Sequence, residues 1–440
     1  MKTFARSIAL GSLMAMVTPA LSAEAVIRDS LGAAEQRLPT LHTPSLDLEY
    51  VLRQVLERNP TVGAARAAWS EAKARARLAG AWEDPMLDLM AAPRTFGSSS
   101  VEAAYRIGIQ QSFPIFGQRG LRRRMAEADA RAAAWDLRTA QLDLVLQARL
   151  MFAEYWRNGR AIALNQELLD LLPQFRRLTL AKYSAGLVGQ QDPLQVDAEL
   201  AMLDHEAVIL ERERRVTTAM LNVLMHEPPE KWLPPPPDTL ALPDTMVVHA
   251  DLAPRARALR PEMRAADARV EASRAGATLA GRQRLPEPSL GVAYDRFWAE
   301  PELRAAIGVT MSLPINPGRL AAAEAEARAR LQGSENQSLA AQDSIELQVA
   351  IAAARLHEQS HDVQIARERM LPLAERTLRA SRASYEANRA DFLTVLNALR
   401  DYLRAHLEAD QSLAMLHEAR ADLDRALGNL PRALEQEKLP

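Results

Sequence analysis

The chain has 440 residues, 54 basic against 56 acidic side chains, no cysteine, only 18 glycines and 5% aromatics. Without cysteine there is no disulfide and no thiolate metal site, and a net charge of −2 gives no electrostatic case for nucleic acid. Alanine, leucine, arginine, glutamate and glutamine dominate, which is the composition of long packed helices rather than of an ordinary globular enzyme.

The start is basic through Arg6, apolar from Ile8 to Val17, and small at Pro19–Ala23. That pattern reads as a secretory signal peptide over residues 1–23, too short for a spanning anchor. Residues 24–44 read as an extended leader. No later run of apolar residues is long enough for a transmembrane helix.

Helical periodicity begins near Leu46, breaks at Asn59-Pro60 and resumes to about Ala81, because the residue before proline avoids the α region. Residues 85–113 read as a β-hairpin. Its second strand alternates cleanly, with Tyr105, Ile107, Ile109 and Phe113 on one face and Arg106, Gly108, Gln110 and Ser112 on the other. From Gly117 to Ala185 the only proline is Pro173. This predicts one helix of roughly 100 Å at 1.5 Å per residue, kinked or strained at that proline. A tip near Gly186 and a returning helix over Pro193–His226 follow. The spacing of Leu194, Ala198, Ala201 and Val208 predicts the seam that packs antiparallel against the long helix. Residues 45–227 form one repeat, and the proline-rich segment 228–246 is a stiff connector.

Residues 247–428 then repeat the plan. Arg260-Pro261 matches Asn59-Pro60. A hairpin at 289–313 alternates along Leu303, Ala305, Ile307, Val309, Met311 and Leu313. The junction Phe113-Pro114 followed by Gly117 and Arg119 returns as Leu313-Pro314 followed by Gly318 and Arg319. A second long helix, holding Pro372, runs to a tip near Asn388 and returns over Phe392–Leu427 with Leu393, Leu396, Leu399 and Leu403 as its seam. Residues 429–440 are a tail. A period of about two hundred residues is too long for a solenoid. It marks a duplicated half-molecule, with four strands in total.

Four strands in an exported chain pose a problem. Their apolar face suits a bilayer, but an open sheet in lipid would leave its edge amides unpaired. Closure between chains solves this: three copies give a twelve-stranded barrel wide enough for a channel, extended by the long helices as a tube.

The duplicated half, both strand-Pro-Gly-Arg-helix junctions and the turns Tyr183-Ser-Ala-Gly186 and Tyr385-Glu-Ala-Asn388 resemble the TolC family of outer-membrane efflux proteins, over about residues 45–428. Within that family, the run from Gln111 to Arg124 and Asp84-Pro-Met-Leu87 are similar to the heavy-metal (CzcC- and CusC-like) branch. The resemblance implies a mainly α fold with a small membrane β part. In it, antiparallel coiled-coil helices form a periplasmic tunnel, and a homotrimer completes the outer-membrane barrel. It implies a passive, non-enzymatic exit duct of a Gram-negative cell, docking a periplasmic adaptor and an inner-membrane RND-type pump, with lipid around it and no cofactor or nucleic acid. Multidrug or solvent efflux and type I secretion are alternatives within the family. A periplasmic helical adaptor or structural protein is the alternative outside it.

The same resemblance places the adaptor-docking tips at Gly186, Leu187, Val188 and Gly189 and at Asn388, Arg389 and Ala390. At the two positions where some relatives carry gate aspartates, this chain has Thr394 and Asn397. Asp192 and Asp391 could replace them at the gate or simply start the returning helices at their positive ends. Arg119, Arg122, Arg123, Arg124 and Arg319 sit where helices begin, an unfavourable end for positive charge. Lipid phosphate, or intersubunit ion pairs with Glu127 or Asp129, would compensate. His357-Glu-Gln-Ser-His361 fits the HExxH pattern, and both histidines share a helix face as a metal pair would. The first repeat has no matching pair and no third ligand is marked, so an exposed helix face is expected and no metal site is assigned.

Overall fold

The fold was described from a computed structural model, which describes residues 45–97, 99–244 and 251–429. The expected signal peptide, the leader, part of the second repeat's start and all but the first residue of the tail lie outside the described residues. Residues from Leu46 onward cluster as one compact unit.

The duplication is visible element by element. The first repeat runs α1 (Leu48–Arg58), α2 (Pro60–Gly80), β1 (Met86–Ala91), β2 (Tyr105–Ser112), α3 (Gln118–Ser184) and α4 (Gln191–Leu224). The second runs α5 (Leu252–Leu259), α6 (Pro261–Arg282), β3 (Glu287–Asp295), β4 (Ala305–Ser312), α7 (Pro317–Ile365), a π turn (Ala366–Met370), α8 (Leu371–Glu386) and α9 (Phe392–Leu427). Proline opens α2 and α6, where its missing N–H costs nothing. The expected second hairpin starts earlier than 289, at Glu287, and Leu303 falls outside its last strand. Pro301–Leu303 forms a short 3₁₀ turn instead, so the strand begins at Ala305.

The two long helices treat their prolines differently. α3 is an unbroken helix of 67 residues with Pro173 inside it, so the kink expected there does not interrupt the assignment. In the second repeat Pro372 follows the π turn, where the Leu371 N–H bonds back to the Ala366 carbonyl. The wider turn moves aside the carbonyl that a proline ring would otherwise strike.

Each repeat builds the same three-way core. Val51, Leu52 and Val55 of α1 pack on Leu137, Leu144 and Phe152 of α3 and Leu221 of α4. Leu252 and Ala256 of α5 pack on Ile345, Val349 and Leu356 of α7 and Leu416 and Leu423 of α9. The residue before each proline ties its repeat together. Asn59 donates to the Leu224 carbonyl at 2.9 Å, and Arg260 donates to that of Ala426 at 3.3 Å. Arg425 joins the repeats, pairing with Asp143 of α3 at 2.6 Å and with Glu262 of α6.

The returning helices correct one expectation. Leu194, Ala198, Ala201 and Val208 are exposed, and α4 buries Val196, Leu203 and Leu210 instead. α4 carries two apolar heptad stripes, and a single sequence does not say which one the same chain covers. In α9 Leu396 and Leu399 are buried as expected, whereas Leu393 is exposed.

The connector is a strap rather than a free linker. Tyr155 donates its hydroxyl to the Pro234 carbonyl at 2.8 Å, and His417 and Arg420 of α9 bond the carbonyls of Ala241 and Asp244. At Gly159 of α3 a Cβ would lie 2.3 Å from Pro236, so only glycine lets the strap lie flat there. No described helix is long and apolar enough to cross a membrane.

Candidate functional site

The four strands form one antiparallel sheet in the order β1-β2-β3-β4. β2 pairs with β3 and so welds the two repeats, with Ile107 opposite Tyr294 and Ile109 opposite Val292. Alternation and register together give the sheet two unlike faces. On one lie Leu87, Leu89, Tyr105, Ile107, Ile109, Leu290, Val292, Tyr294, Ile307, Val309 and Met311. On the other lie Asp88, Arg106, Gln110, Ser289, Asp295 and Thr310, with Gly108, Gly291 and Gly308 among them. Arg106 and Asp88 form a 3.7 Å ion pair on that polar face. The apolar face is bare: Ile307 is 79% exposed and Val309 69%. Strands of 6–9 residues at about 3.3 Å each make it roughly 20–30 Å tall. Aromatic rings mark both ends. Tyr105 and Tyr294 lie 6.4 Å apart at one end, and Trp82 packs edge-on to Phe113 at 5.6 Å at the other. β1 and β4 have no strand partner on their outer edges within the described residues.

Below the sheet lies the basic junction. The Arg119 guanidinium stacks 3.9 Å over the Trp82 ring. Arg122 pairs with Glu83 at 3.2 Å and Glu287 at 3.6 Å, and Arg123 pairs with Glu127 at 2.7 Å. Among the described residues Arg124 reaches only the Gly120 carbonyl, at 3.5 Å. Arg319 is exposed, and its backbone N–H is capped by Asn316 at 3.0 Å. Intrachain pairing therefore accounts for two of the five arginines. Among the described residues of one chain, Asp129 pairs with none of them. Burial pushes its pKa up, against the pull of Arg75 and Arg269.

At the far ends of the helices, both tips are the same reversal. In the first, the Gly186 and Leu187 N–H groups bond the carbonyls of Tyr183 and Lys182. In the second, Asn388 and Arg389 bond those of Tyr385 and Ser384. Gly186 and Asn388 hold φ of 70° and 56°, the left-handed geometry that this helix ending requires. Leu187 and Arg389 are exposed, and Ala390 is half-buried. Val188 is half-buried and packs against the core of the tips. That core holds Leu172, Phe175, Val196, Tyr385, Phe392 and Leu396 and excludes water from between the two hairpins.

A polar latch crosses this core. Lys182 is only 8% exposed and reaches from α3 to the end of α8. Its ammonium donates to the Tyr385 carbonyl, to Asn388 Oδ1 at 2.7 Å and to the Glu386 carbonyl at 3.4 Å. It also sits 4.3 Å over the Tyr385 ring. The Tyr385 hydroxyl donates to Asp192 Oδ2 at 3.1 Å. Burial, then that bond and the Asp192 charge, hold the phenol's pKa above its usual value. Two turns further along α4, Glu199 pairs with Arg400 of α9 at 2.7 Å.

The gate candidates thus separate. Asp391 is the N-cap of α9, accepting from the Thr394 N–H at 3.0 Å and hydroxyl at 2.5 Å, and those bonds lower its pKa. Asp192 is not a cap: it is buried and spent on Tyr385. Thr394 and Asn397 are exposed on α9. Lys182 and Tyr385 were not singled out as site residues from the sequence. A lysine in a helix's last turn reads as a dipole partner, and nothing in its spacing marks it as buried. His357 and His361 are both exposed on α7, and no group of three metal-ligating side chains occurs among the described residues.

Comparison with curated proteins gives no match. Solved structures do match in fold. The outer membrane protein VceC from Vibrio cholerae is 20% identical over 87% of this chain and 96% of its own, with a TM-score of 0.72. CusC, described in terms of transmembrane channel formation, is 18% identical over 88% of this chain and 92% of its own, at 0.75. The open state of the MtrE outer membrane channel of Neisseria gonorrhoeae is 20% identical over 87% and 88%, at 0.71. The family model for outer membrane efflux proteins matches residues 51–225 and 252–429, which are the two repeats found above. The chain therefore belongs to the outer membrane efflux protein family and is an outer-membrane protein of a Gram-negative cell that extends into the periplasm.

Proposed function

We propose that the chain is one third of a trimeric exit duct of a tripartite efflux system, passing cargo passively from a pump and adaptor to the outside. The observation that carries this reading is the two-faced sheet with its open edges. Three copies would pair β4 of one with β1 of the next, closing twelve strands with the apolar face toward lipid and the polar face toward a water-filled lumen. The helices support the same assembly. The stripe of Leu194, Ala201 and Val208 on α4 and the row of Leu339, Leu347 and Ile351 on α7 are bare in one chain. Exposed apolar rows of this length are where a second protein surface packs.

In this reading the tips are the gate. The two helix pairs can part only by breaking the Lys182 bonds and the Tyr385–Asp192 bond. Hydrogen bonds to charged groups contribute about 1.5–3 kcal/mol each, so docking of an adaptor on Leu187, Arg389 and the rims of both turns has to supply several such increments. No residue set performs chemistry in this scheme. The energy comes from an RND-type inner-membrane pump. The cargo we assign is heavy-metal cations, on the resemblance of Gln111–Arg124 and Asp84–Leu87 to the metal branch.

Charge on the sheet tests the membrane reading. Ile307→Arg should abolish outer-membrane insertion, since arginine at mid-bilayer costs about 2–4 kcal/mol on the lipid face. Thr310→Arg, on the opposite face, should insert normally and change only conductance. Equal tolerance of both would contradict the assignment of faces. At the tips, Tyr385→Phe keeps the ring packing and removes one latch bond. It should raise open probability in planar bilayers, and Lys182→Met should raise it further. Unchanged gating in intact trimers would refute the latch. A photoreactive side chain at Leu187 or Arg389 should capture the periplasmic adaptor in cells, whereas capture only from the strand loops near Phe297 would place the docking surface elsewhere. For cargo, complementation of a deletion strain should restore tolerance to one or two transition metals. Restored drug tolerance with metal tolerance unchanged would keep the duct and replace its cargo.

A further inference from the structure

We propose that the groove between α2 and α3, immediately below the sheet, binds the phosphate headgroup of an anionic phospholipid of the inner leaflet. This rests on the outer-membrane reading and goes beyond it, from a general lipid contact to a defined site. The groove has a volume of about 660 Å³ and is lined by Trp69, Lys73 and Arg77 of α2 and by Arg123, Glu127 and Arg131 of α3. Two i,i+4 stripes run side by side: Trp69, Lys73 and Arg77 upward, and Arg119, Arg123, Glu127 and Arg131 downward. The absence of a Cβ at Gly80 lets the Arg123 chain lie across α2, since a Cβ there would be 3.0 Å from Arg123 Cδ.

The groove opens on the correct side of the protein. Phe113 continues the parity of Tyr105, Ile107 and Ile109 and still pairs with the second repeat, its N–H bonding the Pro288 carbonyl at 2.9 Å. Its ring therefore ends the apolar face. Trp82 packs on Phe113, Arg119 stacks on Trp82, and Arg123 lies one turn below Arg119. Acyl chains against the apolar face would thus deliver their headgroup to Arg119 and Arg123.

The charges there call for an anion. Arg123 and Arg131 already have carboxylates, Glu127 and Glu271. Among the described residues Lys73 has only the Trp69 ring, at 4.4 Å, and Arg119 only that of Trp82. Arg77 has no carboxylate partner among the described residues. Arginines at the start of α3 also oppose its positive end, so a bound phosphate relieves two unfavourable terms together. Aromatic rings beside cations, next to an acyl-facing surface, fit an amphiphile better than a free ion.

The test is native mass spectrometry of the purified full-length trimer with phosphatidylglycerol and, separately, phosphatidylcholine. The wild type should retain phosphatidylglycerol in preference to phosphatidylcholine. The double variant Lys73→Gln/Arg77→Gln should lose that retention about tenfold, the effect of removing about 1.4 kcal/mol of binding. Both residues are exposed, so folding is not at risk. Arg330→Gln on α7, paired with Glu326 away from the groove, should leave retention intact. Equal retention by wild type and double variant overturns the site. Displacement of lipid by inorganic phosphate alone overturns it in favour of a free-anion site. Membrane fractionation of the same variants separates the two claims. Trimers found in the outer membrane without selective lipid retention sink only the groove, and chains absent from that membrane sink the underlying reading.

Discussion

A strand placed in hydrocarbon must satisfy every amide along both edges, because no water is present to do it. Here the sheet stops after four strands, with β1 and β4 as outer edges and one face almost wholly apolar. The remaining architecture follows from that constraint. The repeats must be welded through β2 and β3 so that one chain contributes a continuous arc. In the proposed assembly the rows Leu194–Val208 and Leu339–Ile351, bare in one chain, would meet the helices of neighbouring copies. A single chain would then be incomplete by construction, its exposed apolar surface complementing its own copies.

Closure at one end leaves the other end free to move, and the tips show how that freedom is restrained. Most of the tip core is apolar and non-directional, so it would tolerate sliding. The Lys182 and Tyr385 bonds are directional and desolvated, and they fix one arrangement of α3 and α4 against α8 and α9. Because the ammonium bonds backbone carbonyls at the end of α8 and the Asn388 side chain of the turn, the latch depends on that turn's shape. Anything that repacks the Asn388 turn also releases the lysine.

Much of this was legible in the sequence, because duplication and strict alternation are strong signals. The strand faces, the tips at Gly186 and Asn388 and the two helix pairs all follow from period and punctuation. The failures have a common cause. Choosing Leu194, Ala198, Ala201 and Val208 as the internal seam of α4 failed because the helix carries a second apolar stripe, Val196, Leu203 and Leu210, and the chain buries that one. Val188 packs against the tip core, a contact that its place in a turn does not reveal. Asp192 lies in the first turn of its helix as read, but its side-chain bond was not legible. Its true partner, Tyr385, lies almost two hundred residues away. Spacing reveals what is local, whereas the latch and the basic groove consist of contacts between the repeats or between antiparallel helices.

The most direct test of the whole scheme is edge pairing between chains. The protein has no cysteine, so pairs such as Leu89→Cys with Ile307→Cys, scanned along β1 and β4, can be oxidised in native membranes without background. A closed barrel predicts covalent trimers for the pairs in register and none for pairs displaced along the strands. Chains that stay monomeric for every pair, or that leave the membrane in salt without detergent, would contradict it.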